Sequence, residues 1–208
     1  MEYLVTMTTR VPDGTPEEAV QDIRAREAAR SRELAAQGHL LRLWRPPLQP
    51  GEWRTLGLFA ADGGRLEEIL ASMPLRVWRT DEVTPLSPHP NDPSPPSGAG
   101  RRATEFLVTF TLAVPPGTPD QTVQDTKARE AQAARDLAGQ GHLLRLWALP
   151  DAGRTLGLYQ ARSAAQMDEI LAALPLAPWM TVDTTPLSPH PSDPAIIHPP
   201  TTASAGTP

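Results

Sequence analysis

The stretch Gly38-His39-Leu40-Leu41-Arg42-Leu43-Trp44 recurs letter for letter from Gly141 to Trp147. A second stretch, from Thr84 to Pro90, recurs from Thr185 to Pro191. The distance between the two copies is far longer than the period of roughly 20–50 residues that is typical of solenoid repeats. The chain of 208 residues is therefore predicted to contain one domain twice, rather than an array of short repeats.

Proline-rich segments follow both copies and suggest the domain boundaries. The chain has 25 prolines, and they are concentrated after each repeat. We expect a first repeat at residues 1–90, then a Pro/Ser/Gly linker at 91–103 that is partly stiff and partly flexible. We expect a second repeat at residues 104–194 and a disordered tail at 195–208.

Composition excludes several classes of function. A formal net charge of −5 argues against a nucleic-acid partner or an anionic membrane surface. The chain has no cysteine, which excludes disulfides, thiolate metal sites and cysteine nucleophiles. No apolar run approaches the ~18 residues of a membrane helix, and the first residues lack the basic and apolar regions of a signal peptide. We expect a soluble cytoplasmic protein with no membrane partner.

Hydrophobic periodicity and turn residues predict the same order of elements in each copy. Alternation predicts strands, and Thr15-Pro16-Glu17-Glu18 reads as a capped helix start that the second copy repeats with other letters. Gly38 suits a left-handed helix end. In the first copy we predict strands at 3–9, 39–44, 53–61 and 77–83, and helices at about 16–37 and 66–73.

This order is β-α-β-β-α-β, so the predicted fold class is α+β with two ferredoxin-like domains. The sheet of such a domain carries helices on one face only, and its other face must be covered. We therefore expect the two repeats to form an intramolecular pseudo-dimer of the dimeric α/β-barrel type.

A glutamate lies on the apolar stripe of the first helix in both copies. Glu130 follows Val123 and precedes Leu137 by seven residues each, which is about two helical turns. Glu27 is its counterpart. A carboxylate at such a position must be desolvated, paired or facing a cleft, and a base tuned by burial suits proton transfer. A surface ion pair on an exposed helix face is the alternative.

Each of these glutamates has a cation three residues earlier. Lys127 precedes Glu130, and Arg24 precedes Glu27, at a spacing that places both side chains on one helix face. Burial raises the pKa of a carboxyl group, whereas a neighbouring cation lowers it. We therefore take Glu27, Glu130, Arg24 and Lys127 as candidate catalytic residues.

Arginine and tryptophan share one face of the second strand in each copy. By the period of two, Arg42 lies beside Trp44, and Arg145 beside Trp147. Arginine among large apolar residues suits the capture of a carboxylate, which belongs either to a ligand or to the protein itself. These four residues are candidates for substrate binding, and a structural pair between the arginine and an acidic residue is the alternative.

Two histidines occur in the proline-rich repeats. His89 and His190 are further candidates for substrate binding, because each could close over a site, although the proline context also suits a rigid packing arm. No spacing of acidic residues and histidines resembles a metal site, so we expect no metal. A glycine-rich phosphate loop and a serine nucleophile elbow are absent from the sequence.

Several stretches, taken together and in order, resemble the muconolactone Δ-isomerase family over nearly the whole of both repeats. They are the opening strand Tyr3–Thr8, the stretch Lys127-Ala128-Arg129-Glu130, the pattern Gly-x-x-x-x-Leu-Trp at 38–44, the stretch 174–180, and the His-Pro after the last strand. The resemblance implies a cofactor-independent isomerase that moves a proton within an unsaturated lactone, (S)-muconolactone. It implies that Glu27 and Glu130 act as base or proton shuttle, with Arg24 and Lys127 as electrostatic partners.

The resemblance also implies a small-molecule lactone, or a related carbonyl compound, as the partner. Family members are single-repeat chains that assemble into large rings. A higher homo-oligomer of the fused chain is therefore expected to be accessible.

Two departures from the family pattern bear on the substrate. A family histidine is missing at the positions of Arg42 and Arg145, and a family Asn-Tyr pair is replaced by Thr55-Leu56 and Thr155-Leu156. They leave two alternatives open: a repurposed isomerase or cyclase of a biosynthetic pathway, and a non-catalytic protein that binds a small molecule. Because the second copy is closer to the family pattern, we expect it to hold the better site.

Overall fold

The computed structural model describes residues 1–48, 53–62, 64–93 and 103–197. The chain divides into two compact units. Unit 1 comprises Met1–Val83 together with Pro189–Pro208, and unit 2 comprises Thr84–Ser188. The units therefore differ from the sequence repeats. The end of the first repeat, from Thr84, belongs to unit 2, and the end of the second repeat, from Pro189, belongs to unit 1.

The predicted order of elements is confirmed in both repeats. The first contains β1 (Glu2–Thr9), α1 (Glu17–Ala36), β2 (Leu40–Arg45), β3 (Trp53–Ala60), α2 (Arg65–Ala71), a 3-10 helix (Pro74–Trp78) and β4 (Arg79–Pro88). The second contains β5 (Thr104–Leu112), α3 (Asp120–Gly139), β6 (Leu143–Ala148), β7 (Arg154–Ala161), α4 (Ala164–Ala172), a 3-10 helix (Ala177–Trp179) and β8 (Met180–Pro189). A final short helix, α5, covers Pro194–Ile197.

Two local predictions are wrong at the ends of elements. The hydroxyl group of Thr15 donates to the carbonyl oxygen of Pro12 at 2.6 Å and closes the preceding turn, so Pro16 is the N-cap and no side chain caps α1. Thr118 does the same with Pro115 before α3. The last strand of the first repeat begins at Arg79 rather than at residue 77, because the chain from Pro74 continues as a 3-10 helix.

The prediction for the end of the first helix is confirmed. Gly38 adopts the left-handed conformation at the end of α1, with φ of 74°, which glycine accepts without steric cost. The side chain of Ser163 accepts a hydrogen bond from the Gln166 N–H at 3.2 Å and caps α4.

The strands of each unit pair antiparallel around a central strand. In unit 1, β3 lies between β1 and β2, with Val5 opposite Gly57. In unit 2, β5 lies between β7 and β8, β6 pairs with β7, and Ser87 and Pro88 at the end of β4 pair with β6. The end of the first repeat is thereby held in unit 2.

Each unit has its own hydrophobic core between its helices and its sheet. Core residues of unit 1 include Val5, Leu34, Leu40, Phe59 and Ile69. The core of unit 2 includes Phe106, Val108, Leu143, Tyr159 and Met167. The second core contains a phenol where the first has a phenyl ring.

The predicted linker and tail are described only in part. Asn91 to Pro93 lie within unit 2, and residues 94–102 of the linker lie outside the described residues. The first residues of the predicted tail form the end of α5, and residues 198–208 lie outside the described residues. No helix in the described ranges is long and apolar enough to cross a membrane.

Candidate active site

Unit 2 contains a cavity of about 620 Å³, a size that is ordinary for small-molecule sites. Its wall is largely apolar, and it combines α3, β6, β7 and the segment that follows β4. The apolar lining includes Phe110, Ala134, Leu146, Leu174, Leu176 and Met180, and the polar side chains are His89, Asn91, Lys127, Glu130, Asp151, Arg154, Thr155 and Tyr159.

Glu130 lies in this cavity, as its place on the apolar stripe of the helix predicts. The Leu176 N–H donates a hydrogen bond to Oε2 of Glu130 at 2.9 Å. Burial raises the pKa of Glu130 above its ordinary value, and the hydrogen bond from Leu176 opposes this rise. Among the described residues, no cation lies within ion-pair distance of its carboxylate. Glu130 is therefore a fixed carboxylate with raised basicity inside an apolar cavity.

Tyr159 is the neighbour of Glu130 that sequence reasoning did not assign to the site. Its ring is 3% exposed and packs edge-on against Phe110, with 6.0 Å between the ring centroids. A side chain at Gly157 would collide with this ring, so the glycine makes room for it. Burial, and then the charge of Glu130, raise the pKa of Tyr159, so the phenol keeps its proton. The signal in the sequence is that Phe59 occupies the equivalent place in the first copy.

Two cationic side chains also line the cavity. Lys127, one turn before Glu130 on α3, lines it as expected, but it forms no ion pair with Glu130 in the described structure. Arg154, at the start of β7, was not predicted as a site residue. Its Nη1 lies 2.8 Å from Oδ2 of Asp151, in a pair that is largely exposed. Both cations can meet an anionic group on a ligand.

His89 reaches the same cavity from the segment after β4. Its Nδ1 accepts a hydrogen bond from the Asn91 N–H at 3.1 Å. Burial lowers the pKa of His89, and the charge of Asp92 opposes this effect. The candidate substrate-binding histidine of the first repeat therefore lines the same cavity as the candidate base of the second.

The equivalent glutamate in unit 1 has a different environment. Nη1 of Arg79 lies 3.0 Å from Oε1 of Glu27, and the Leu75 N–H donates to Oε2 at 2.8 Å. Arg79 also binds Asp81 at 2.6 Å, and its side chain is 2% exposed. Burial is the largest cause of the raised pKa of Glu27, with the Leu75 hydrogen bond and Arg79 lowering it.

The prediction that Arg24 pairs with Glu27 is wrong. The guanidinium of Arg24 lies over the ring of Trp53, 3.7 Å from its centroid, where cation–π contact and stacking hold it. The buried Arg79 takes the place that Arg24 was expected to fill. In the second copy the residues equivalent to Arg79 and Asp81 are Met180 and Val182.

Arg42 and Arg145 form structural ion pairs, which was the alternative reading of these residues. Nη2 of Arg42 lies 3.1 Å from Oδ2 of Asp193, and Nε of Arg145 lies 3.2 Å from Oδ2 of Asp92. Each aspartate also accepts a backbone N–H. Asp193 accepts that of Leu43 in β2 at 3.1 Å, and Asp92 accepts that of Leu146 in β6 at 2.7 Å. The arginines therefore anchor the segments that follow β8 and β4, because a half-buried guanidinium is best matched by a carboxylate.

The two tryptophans and His190 do not line the unit 2 cavity. Trp44 and Trp147 are 1% and 2% exposed and lie beneath the guanidinium groups of Arg42 and Arg145, at 4.8 Å. His190 lies in unit 1, where burial first, and then the charge of Arg45, lower its pKa to about 4. Within the described part of the chain, no group of three or more acidic or histidine side chains is placed to hold a metal ion.

The protein thus consists of two ferredoxin-like repeats, and the second contains a carboxylate of raised pKa in a largely apolar cavity. Such an arrangement suits proton transfer. The chain belongs to the muconolactone delta-isomerase family, whose model matches residues 1–92 and again residues 104–193. The predicted tandem duplication of the family domain is thereby confirmed.

Individual relatives each match about one repeat. The chain is 35% identical over 92 residues to muconolactone Delta-isomerase 1 of Acinetobacter lwoffii, and this match covers 44% of the chain and 93% of the relative. It is 30% identical over 87 residues to the muconolactone Delta-isomerase of Cupriavidus pinatubonensis, and this match covers 42% of the chain and 95% of the relative.

Among solved structures, the chain is similar to chlorite dismutase from Candidatus Nitrospira defluvii. The TM-score is 0.60 at 11% identity, and the match covers 90% of this chain and 91% of the other. A likeness at this identity shows the fold alone, and it confirms the predicted fold class for the chain.

Proposed function

We propose that unit 2 catalyses a cofactor-independent proton shift in a small unsaturated lactone that carries a carboxylate, as the family name suggests, with Glu130 as the base. The observation that carries the proposal is the state of Glu130. It lies in a cavity of ligand size, its pKa is raised by burial, and no described cation neutralises it. A carboxylate in this state accepts a proton from carbon more readily than one in water.

The proposed reaction is balanced within the substrate. The base removes a proton from the ring carbon that bears the carboxymethyl group, and the electron pair moves into the ring as a dienolate. Glu130 then returns the proton to the carbon next to the lactone carbonyl, so that the double bond moves by one position. Nothing is oxidised or reduced, so the chain's own residues suffice for the step.

Charge placement in the cavity suits this chemistry. The two cationic side chains, Lys127 and Arg154, are available to hold the substrate carboxylate. Tyr159 keeps its proton and offers a neutral hydrogen-bond donor near Glu130. The largely apolar wall gives the site a lower dielectric constant than bulk water, which strengthens these interactions as negative charge develops on the substrate.

Unit 1 is proposed to be non-catalytic. Both carboxylate oxygens of Glu27 are occupied, one by Arg79 and one by the Leu75 N–H. The charge of Arg79 lowers the pKa of Glu27 against the larger effect of burial, and the carboxylate is engaged by the protein on both oxygens rather than open to a ligand. We therefore propose one functional site per chain, in the second copy.

The direct test is turnover of (S)-muconolactone by the pure full chain, followed by ultraviolet absorbance and by NMR in D₂O. We expect loss of the substrate, formation of the enol-lactone and deuterium at the carbon next to the carbonyl. A folded protein that converts none of it would contradict the muconolactone assignment. Deuterium exchange into other enolisable lactones would then separate a changed substrate from the non-catalytic alternative.

A further inference from the structure

We propose that His89 is a hydrogen-bond donor of the unit 2 site, and that its Nε2–H donates to the carbonyl oxygen of the bound ligand. The role rests on the proposed function for its catalytic consequence. The donor itself depends only on the contacts of the His89 ring and its place in the cavity, and its ligand is a small carbonyl compound with an anionic group.

The protonation pattern of the His89 ring is set by one backbone contact. The Asn91 N–H donates to Nδ1 at 3.1 Å, so Nδ1 must present its lone pair. In the neutral imidazole the single proton is then on Nε2, which makes Nε2 a donor. Within the described part of the chain, Nε2 has no hydrogen-bond partner, and the side chain lines the cavity.

The segment that carries His89 is held at three points, so the ring is positioned before a ligand arrives. Ser87 and Pro88 pair with β6 just before the histidine. Just after it, Asp92 accepts the Leu146 N–H at 2.7 Å and pairs with Arg145. A donor fixed in this way loses little freedom when it binds a ligand oxygen, which is the condition for effective stabilisation of a developing oxyanion.

A neutral donor suits this position better than a cation. Burial keeps the His89 ring uncharged at neutral pH. A neutral imidazole donates to an enolate oxygen without giving up its own proton, whereas a positive charge in the same cavity would lower the pKa of Glu130 and weaken the base. A carboxylate of raised pKa and a neutral imidazole in one cavity thus separate the proton-accepting and oxyanion-binding roles.

The chain supplies a matched control in His190. Its Nδ1 accepts the Ser192 N–H at 3.1 Å in the same geometry, and the following Asp193 pairs with Arg42. His190 belongs to unit 1, where Arg79 holds Glu27. His190 has the same tautomer, but the glutamate of its unit is proposed to be non-catalytic. Substitution of His190 therefore measures only the effect on stability of losing such a histidine.

The first experiment measures the donor without turnover. In the full chain with ¹⁵N-labelled histidine, we expect NMR to show His89 as the Nε2–H tautomer. Addition of the saturated lactone that carries the same carboxymethyl group should shift the His89 Nε2 resonance and leave that of His190 in place. A protonated Nδ1, or an unchanged Nε2 resonance in the presence of saturating ligand, would overturn the proposal.

The second experiment measures the consequence for catalysis. We expect His89→Phe to lower kcat about 100-fold with a small change in KM, because one oxyanion donor is removed. His89→Gln, which keeps an N–H donor at a similar reach, should recover activity to within about tenfold of the native chain. His190→Phe should leave kcat unchanged, and retained kcat in His89→Phe would overturn the catalytic role.

The two proposals fail in different ways. If the native chain turns over no lactone while its His89 Nε2 resonance still responds to the saturated ligand, the isomerase assignment fails and the donor stands. If turnover is normal in a folded His89→Phe variant, the isomerase assignment stands and the donor role fails. Thermal unfolding of each variant establishes that it is folded.

Discussion

Arg79 and Glu27 form a buried ion pair in unit 1, with Nη1 and Oε1 3.0 Å apart. The arginine has no equivalent in unit 2, where Met180 holds the same place and lines the cavity beside Glu130. Both glutamates accept the same backbone N–H, from Leu75 and Leu176. One residue thus distinguishes a carboxylate that stabilises the fold from one that is available to a ligand.

An arginine at the equivalent position in unit 2 should abolish most of the activity of the unit 2 site. Met180→Arg places a guanidinium beside Glu130, which lowers the pKa of the base and fills part of an apolar cavity. We expect kcat/KM for the lactone to fall by about 100-fold or more. Met180→Leu keeps volume and polarity and should retain activity to within about threefold. A Met180→Arg variant with native activity would show that the free state of Glu130 is unimportant.

Removal of the arginine from unit 1 should destabilise the fold. Arg79→Met leaves the buried carboxylate of Glu27 without its cation and leaves Asp81 with only the more exposed Arg76, 3.7 Å away, at a cost of about 3–5 kcal/mol. Urea unfolding measures the change in the free energy of unfolding. A triple variant with Glu27→Gln and Asp81→Val added removes the unpaired charges and should recover much of the loss. An unchanged urea midpoint in Arg79→Met would contradict the structural role of this pair.

The raised pKa of Glu130 predicts how stability depends on pH. The folded state binds the Glu130 proton more tightly than the unfolded chain does, whose ordinary value is 4.5. The contribution of this group to stability is therefore complete below that pH and is lost as pH rises through the raised folded pKa. Glu130→Gln does not titrate, so we expect it to lose less stability than the native chain between pH 4.5 and neutrality. Urea unfolding at several pH values measures this, and parallel pH profiles would contradict it.

The segments after β4 and β8 should have unequal effects on activity. Asp92→Ala releases Arg145 and the segment that positions His89, so it should lower both stability and kcat. Asp193→Ala releases the matching segment of unit 1, so it should lower stability and leave kcat per folded chain unchanged. Equal losses of kcat in the two variants would contradict a single site in unit 2.

A double-mutant cycle of Arg145→Gln and Asp92→Asn separates a structural arginine from a substrate-binding one. For residues in direct contact we expect a coupling energy of about 0.5–3 kcal/mol in unfolding experiments. If Arg145 instead held the substrate, its substitution alone would raise KM and the coupling would be near zero.

Local periodicity was enough to predict the elements and to place Glu130, because both depend on residues that are close in the chain. It failed at Thr15, because a threonine hydroxyl can bond a turn carbonyl as readily as a helix N–H. The pairs that decide function join distant residues, with Arg79 and Glu27 52 positions apart and Arg42 and Asp193 151 apart. No local pattern predicts such pairs.

A comparison of the two sequence copies alone indicates that Glu27 and Glu130 have different environments. Arg79 against Met180, Asp81 against Val182, and Phe59 against Tyr159 all change polarity at equivalent places in a duplicated domain. In the structure, Arg79 and Asp81 act on Glu27, whereas Met180 and Tyr159 line the cavity that contains Glu130. A change of charge around a residue that both copies keep therefore indicates that this residue has two different roles.

A comparison of Glu130→Gln with Glu27→Gln identifies which of the two glutamates is the base. Both substitutions keep the side-chain shape and one oxygen that can accept the backbone N–H. In Glu27→Gln the amide NH2 takes the place of the oxygen that Arg79 binds, so this variant is expected to lose stability and its kcat is compared per folded chain. We measure kcat with the lactone for both variants of the full chain, after checking that each is folded. We expect kcat to fall by about 100-fold or more in Glu130→Gln and to stay at the native value in Glu27→Gln. Equal losses in the two variants, or a loss of only a few-fold in Glu130→Gln, would contradict this expectation.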